Sequence, residues 1–192
     1  MIRPGIFFAF ALALLTGCST VRVPEAKQES ESAALAETLR GLSPQVDSAE
    51  ARAAAEAAVR YPLQLAREYR ATPPAIINNI FINLGVHPRG LCFQWADDLT
   101  VKLMTLHLRT LELHRGVAWL GTKHEHSCVV LTAPGQPFTD GIALDAWRYC
   151  GRLHWLPVTL DECPWKEVEL IPSYQADLRA AAEKLESQPA QP

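Results

Sequence analysis

Gly90-Leu91-Cys92-Phe93-Gln94-Trp95-Ala96 opens a run in which Leu91, Trp95, Leu99, Leu103 and Leu106 recur every three or four residues, with Leu108 closing it. That spacing predicts a long helix with one apolar face over 91–108. His87-Pro88-Arg89-Gly90 in front of it reads as a turn. Behind it the pattern changes. The segments 117–120, 124–132, 141–147, 153–158 and 167–171 are short, carry Val, Trp and Leu, and are bounded by Gly or Pro. They read as strands of a mostly antiparallel sheet. Upstream, Asp47-Ser48 caps an Ala-rich helical run over 49–60, and Pro62 is expected to start a new turn before a short helix over 63–70. Thr72-Pro73-Pro74 begins another helix, carrying Ile76, Ile77, Ile80, Phe81 and Leu84 and ended by Gly85. Residues 174–186 return to helix. Helices first and strands after predict an α+β domain over 47–186, with N-terminal helices packed on a mostly antiparallel sheet.

The start of the chain has a different character. Arg3 precedes the apolar run IFFAFALALL at 6–15, and Leu15-Thr16-Gly17-Cys18 follows. A positive end, a short apolar stretch and small residues describe an export signal over 1–17. The run falls short of the roughly 20 apolar residues that cross a bilayer. Its Leu-Thr-Gly-Cys ending resembles the bacterial lipobox. That resemblance implies cleavage before Cys18, diacylation of its thiol, and a membrane-anchored lipoprotein. Ser19 resembles the outer-membrane class, facing the periplasm. Residues 18–46, rich in Ser, Glu, Gln and Pro, read as a polar tether with at most a weak helix near its end, and 187–192 as a loose tail.

The 192-residue chain has a formal net charge of −3, and losing Arg3 with the leader makes it one unit more negative. It carries no basic stripe, which argues against a nucleic-acid partner. The 48% hydrophobic content suits one ordinary globular core. With Cys18 assigned to lipid, Cys92, Cys128, Cys150 and Cys163 remain in a compartment that permits disulfides. Cys150 and Cys163 flank a strand-like stretch and its turn, so a bridge between them would close a short loop. Two free thiols are equally allowed by count. Cys128 is expected to be a buried thiol.

The chemistry-bearing residues lie in three places. Cys92 falls in the first turn of the long helix, where unpaired N–H groups and the helix dipole favour an anion. Lys123-His124-Glu125-His126-Ser127-Cys128 reads as a strand whose alternation puts His124, His126 and Cys128 on one face. Asp145 comes near the end of the next strand, after Ile142-Ala143-Leu144. A thiol, a base to take its proton and a third group to orient the base make the set required for nucleophilic catalysis. Between the two histidines we favour His126 as the base. It lies deeper in the strand, beside the apolar run to Leu131.

Gly90-Leu91-Cys92, His126 and Leu144-Asp145 together resemble the papain-like cysteine fold in its transglutaminase-like branch, across roughly residues 75–160. The segment Asp145-Ala146-Trp147-Arg148 is similar to the Asp-Pro step of these families, with Ala where proline is usual. Ser127 stands where they carry an aromatic. The resemblance implies acyl transfer or amide hydrolysis through a thioester on Cys92, with His126 as base and Asp145 orienting it. It implies no cofactor, and an envelope peptide or protein as substrate.

Two other readings compete. His124, His126 and Cys128 include zinc-binding residue types, but neighbours on one strand face give poor tetrahedral angles and no fourth ligand is evident, so we expect no metal. The second is a non-catalytic envelope lipoprotein that binds a partner or acts structurally. Asn78, Asn79 and Asn83 are candidate oxyanion donors whose plainer roles are surface or capping. Asp97 and Asp98 read as a solvated helix face. The five tryptophans read as core and groove aromatics. His107, His114 and His154 have no evident partner, and Arg148 is expected to pair with an acid not identifiable from sequence.

Overall fold

The computed structural model describes residues 21–188. The export signal at 1–17, Cys18 and the last four residues of the tail lie outside the described residues. The elements are α1 (Glu25–Arg40), α2 (Ser48–Glu68), α3 (Ala75–Asn83), α4 (Cys92–Met104), β1 (Glu112–Ala118), β2 (His126–Thr132), β3 (Ile142–Tyr149), β4 (Arg152–Pro157), β5 (Lys166–Glu167) and α5 (Pro172–Glu186). Among the described residues the class is α+β, with five α-helices and one five-stranded antiparallel sheet in the order β4-β3-β2-β1-β5. Among the described residues, no helix is long and apolar enough to cross a membrane.

The central strand β2 is buried along its whole length. Its alternation feeds two cores. Val129 and Leu131 join Ala96, Leu99 and Leu103 of α4 and the small-residue face of α2. Cys128 and Val130 face the other way, among Phe138, Val158, Cys163 and Trp165. A strand covered on both faces reads as a continuous apolar run.

Helix α2 runs unbroken through Pro62 instead of restarting there. Its buried residues Ala54, Ala55, Ala58, Leu63, Leu65 and Ala66 hold both halves against the body. Packing of that kind outweighs the one backbone hydrogen bond that proline removes. Gly151 (φ +104°) comes so close to this helix that a Cβ there would meet the Pro62 carbonyl oxygen at 2.6 Å.

Two expectations need correction. Most of the stretch read as a polar tether is a docked helix. Leu35 and Leu39 of α1 are fully buried against Ala51, Ala54, Ala55 and Ala58 of α2, where small side chains let the helices approach. The folded body therefore begins near Glu25, not at residue 47. The bridge between Cys150 and Cys163 is absent, and both are buried free thiols. Cys150 packs with Ala66, Tyr69 and Trp95, while Cys163 packs with Cys128 and Trp165 in a separate cluster. Burial pushes the Cys150 thiol up to about 11 and the Cys163 thiol up to about 12. Cys128 is buried too, and burial raises its pKa well above the usual thiol range.

If α1 belongs to the folded body, Leu35→Ala will lower unfolding stability by about 2–5 kcal/mol, the cost of a leucine-sized cavity. Urea denaturation will show it as a lower midpoint. A docked accessory of no consequence to the core would leave the midpoint unmoved.

Candidate active site

Helix α4 begins at Cys92 because three residues close its first turn. Gly90 sits at φ +126°, and a Cβ there would meet Asn78 Nδ2 at 2.9 Å, so only glycine fits. The Gln94 side-chain oxygen accepts from the N–H groups of Gly90 (2.8 Å) and Leu91 (3.0 Å). The Trp95 indole N–H donates to the Gly90 carbonyl at 2.9 Å. Beyond the turn, Arg89 forks onto Asp98 with bonds of 2.8 and 2.7 Å, and Tyr69 donates to the same carboxylate. Among the described residues nothing accepts from the backbone N–H groups of Cys92 and Phe93. These free donors form the positive end of the helix dipole.

Cys92 is half-buried and its Sγ–H donates to the Glu125 carbonyl at 3.6 Å. That carbonyl belongs to the residue just before His126, so the sulfur lies at the start of β2. The His126 side chain is 4% exposed, and its Nε2 bonds Asp145 Oδ2 at 2.7 Å. Its ring lies between Trp147, with centroids 4.6 Å apart, and Trp165, at 5.1 Å. His126 Nδ1 is buried and has no hydrogen-bond partner among the described residues. With Nε2 committed to Asp145, Nδ1 is the nitrogen free to take a proton.

Burial opposes a charge on His126. The hydrogen bond to Asp145 and the closeness of the Cys92 thiol outweigh it, and the imidazole pKa rises to about 9. Burial likewise opposes ionisation of Asp145, yet His126 and Arg148 hold its carboxyl below the ordinary range.

The antiparallel pairing of β3 with β4 breaks into a bulge after Asp145. The bulge turns the backbone N–H groups of Trp147 (3.0 Å) and Arg148 (3.1 Å) onto Asp145 Oδ1. Arg148 Nε adds a bond to Oδ2 at 3.0 Å, and its guanidinium also reaches Asp161 and Glu162. Arg148 thus pairs with an acid, as expected of it, and the acids are three.

The structure brings Cys92, His126 and Asp145 together at one end of the sheet. It leaves His124 outside, exposed in the turn before β2. The expectation that His124, His126 and Cys128 share a strand face fails for His124, because pairing with β1 starts only at His126. Among the described residues no group of three His, Cys, Asp or Glu side chains is placed to hold a metal ion.

Several neighbours differ from their sequence reading. Asn78 is buried, and its carbonyl takes bonds from the Thr72 N–H and the His87 ring. Asn79 accepts from the Trp147 indole at 3.1 Å and so holds that ring over His126. Asp97 is no solvated residue. It is buried and paired with Arg115 at 2.5 Å and with the Tyr174 hydroxyl. His114 has partners in Glu167 and Thr132. Arg148 and Trp165 escaped the sequence reading as site residues, and Asn79, read there as a candidate oxyanion donor, instead holds Trp147. Only Arg148, three residues past Asp145, had a local signal.

Comparison with protein-family models, with curated proteins and with solved structures finds no match to this chain.

The His126 pKa carries a signed consequence. Because it is raised from 6.5 to about 9 in the folded protein, the stability it contributes is complete below 6.5 and lost as pH rises through 9. Urea midpoints should therefore fall across that window. In a His126→Gln variant the fall should flatten, and an unchanged slope would show that the imidazole is not held as a cation.

Proposed function

We propose that this chain is a lipid-anchored envelope protein with a papain-like, transglutaminase-like thiol site that transfers or hydrolyses acyl groups through a thioester. The observation that carries the reading is His126, fixed through Nε2 to buried Asp145 and left with an unpartnered Nδ1 beside the Cys92 thiol.

The chemistry follows from those positions. The thiol proton rests on His126 Nδ1 before the attack, in keeping with the raised imidazole pKa, and Asp145 stabilises that imidazolium. The Cys92 sulfur attacks the carbonyl carbon of an amide. The oxyanion so formed is met by the free backbone N–H of Cys92. As the intermediate collapses, the C–N bond breaks and His126 returns its proton to the departing amine. The thioester left on Cys92 is then cleaved by water or by a second amine, with His126 taking and returning the proton. Water yields the free acid, and an amine yields a new amide. No cofactor takes part. Cys128, Cys150 and Cys163 are buried with raised pKa values and are unsuited to this attack.

The anchor is supported by Leu15-Thr16-Gly17-Cys18 behind its apolar run. Export and lipid on Cys18 would hold the domain at the outer membrane, facing the periplasm. The substrate class is then a peptide or protein amide of the envelope.

Iodoacetamide at neutral pH should alkylate Cys92 ahead of the three buried thiols, as read by peptide mass mapping. His126→Ala should slow that labelling by at least about tenfold, the scale expected when a thiol loses the base that activates it. His124→Ala should leave most of it. If neither substitution changes the rate, the thiol has no histidine partner, and the domain is better read as a binding module.

A further inference from the structure

Helix α3 reads Ala-Ile-Ile-Asn-Asn-Ile-Phe-Ile-Asn and contains no charge. Its inner side is committed: Ala75 and Asn78 are buried, and Asn79 holds Trp147. Its outer side presents Ile76 at 68% exposure, Ile77 at 39%, Ile80 at 47% and, at the helix end, Leu84 at 70%. At about 100° per residue these four positions fall within one sector of roughly 100°. Val86 continues the exposed apolar surface into the following turn. A surface helix ordinarily turns charged and polar residues outward. This one keeps its asparagines Asn78 and Asn79 inward and turns an apolar side outward, a contiguous patch and not a scattered leucine.

The path of the chain says what covers it. Val21 packs on the cluster that contains Ala71 and Ala75, at the foot of α3. Cys18 is three residues earlier, so its Cα can stand no more than roughly 11 Å from that of Val21. Arg22 and Arg67 line the cleft around Val21, and Arg70 is exposed just before α3. Cations beside an uncharged apolar stripe match anionic headgroups over acyl chains.

We propose that α3 lies in the membrane interface, with Ile76, Ile77, Ile80 and Leu84 among the acyl chains and Arg22, Arg67 and Arg70 at the headgroups. The inference rests on the reading of Cys18 as lipidated. It also orients the thiol site. Asn79, on the inner side of the same helix, holds the tryptophan that covers His126, so a single helix separates the catalytic imidazole from the bilayer. The amide that reaches Cys92 would then be one presented at the membrane surface.

The test is hydrogen exchange on the purified mature protein in vesicles of phosphatidylethanolamine and phosphatidylglycerol, compared with a Cys18→Ser mature chain in buffer. Intact mass reports separately whether Cys18 carries acyl chains. Amides of 76–84 should exchange roughly tenfold or more slowly on vesicles, while those of α5 stay unchanged. In lipidated protein carrying Ile76→Ser and Ile80→Ser, that protection should disappear while circular dichroism and α5 exchange remain as before. Acyl mass without protection of α3 overturns the proposal and leaves the anchor standing. Absence of acyl mass removes the anchor and the proposal with it. Protection of α3 in buffer that grows with protein concentration means that a second copy covers the face, which also overturns the proposal.

Discussion

Asp145 is an ionised carboxylate at 1% exposure, and a charge so placed is tolerated only when its oxygens are fully partnered. Four donors meet it: His126 Nε2, Arg148 Nε and the backbone N–H groups of Trp147 and Arg148. The two backbone donors exist because β3 leaves its pairing with β4 just past Asp145. Bulges of this kind re-aim a strand at the edge of a site. Much of the local architecture depends on that break. It sends Trp147 across the His126 ring, and it brings Arg148 within reach of Asp161 and Glu162. Removing the carboxylate would free the imidazole, leave Arg148 only Asp161 and Glu162, and leave the N–H groups of Trp147 and Arg148 without an acceptor.

The thiol depends on a separate constraint at the start of α4. Gln94 and Trp95 satisfy groups of residues 90 and 91, and Gly90 allows Asn78 to close in. Those contacts use the donors and acceptors on either side of Cys92 and leave its own N–H and that of Phe93 free. The Arg89–Asp98–Tyr69 network ties the preceding turn to both α4 and the end of α2. Sulfur and imidazole are thus positioned by different elements, a helix start and a strand start. Their alignment rests on the packing of α4 over β2 and β3. Trp95, Leu99 and Leu103, each at most 1% exposed, supply much of that packing.

What could be read from sequence follows from which signals are local. The α4 helix, the strands and the order Cys92, His126, Asp145 announce themselves through spacing, Gly and Pro, which act over a few residues. The α1 helix does not. Only Leu35, Ala36 and Leu39 of its sixteen residues are buried, and the surface that makes them matter is the alanine face of α2. Asp97 looked solvated because its partners stand at Arg115 and Tyr174, across the fold. His124 and His126 are equivalent by alternation alone. The turn that ends at Glu125, closed by its side chain on the Gly121 N–H at 2.7 Å, decides that pairing starts at His126. Cys150 and Cys163 looked like neighbours along the chain, yet they belong to different clusters.

The placement of the site has a reason in burial. Helix α4 lies against α2, α5, β2 and β3, and apart from a strip at Asp98 and Lys102 it meets solvent mainly at its ends. The C-terminal end runs into Thr105 and the loop toward β1. The N-terminal end emerges beside the start of β2, where the strand offers His126 and the preceding turn offers the Glu125 carbonyl. An anion-favouring helix end, a half-buried sulfur and a buried imidazole therefore meet at the margin of the core. There the low dielectric strengthens the Asp145–His126 bond while the thiol stays within reach of solvent. The exposed Phe93, next to Cys92, and the exposed Trp119 and Leu120, in the segment that leads to Glu125, add apolar surface to the chain on both elements that carry the site.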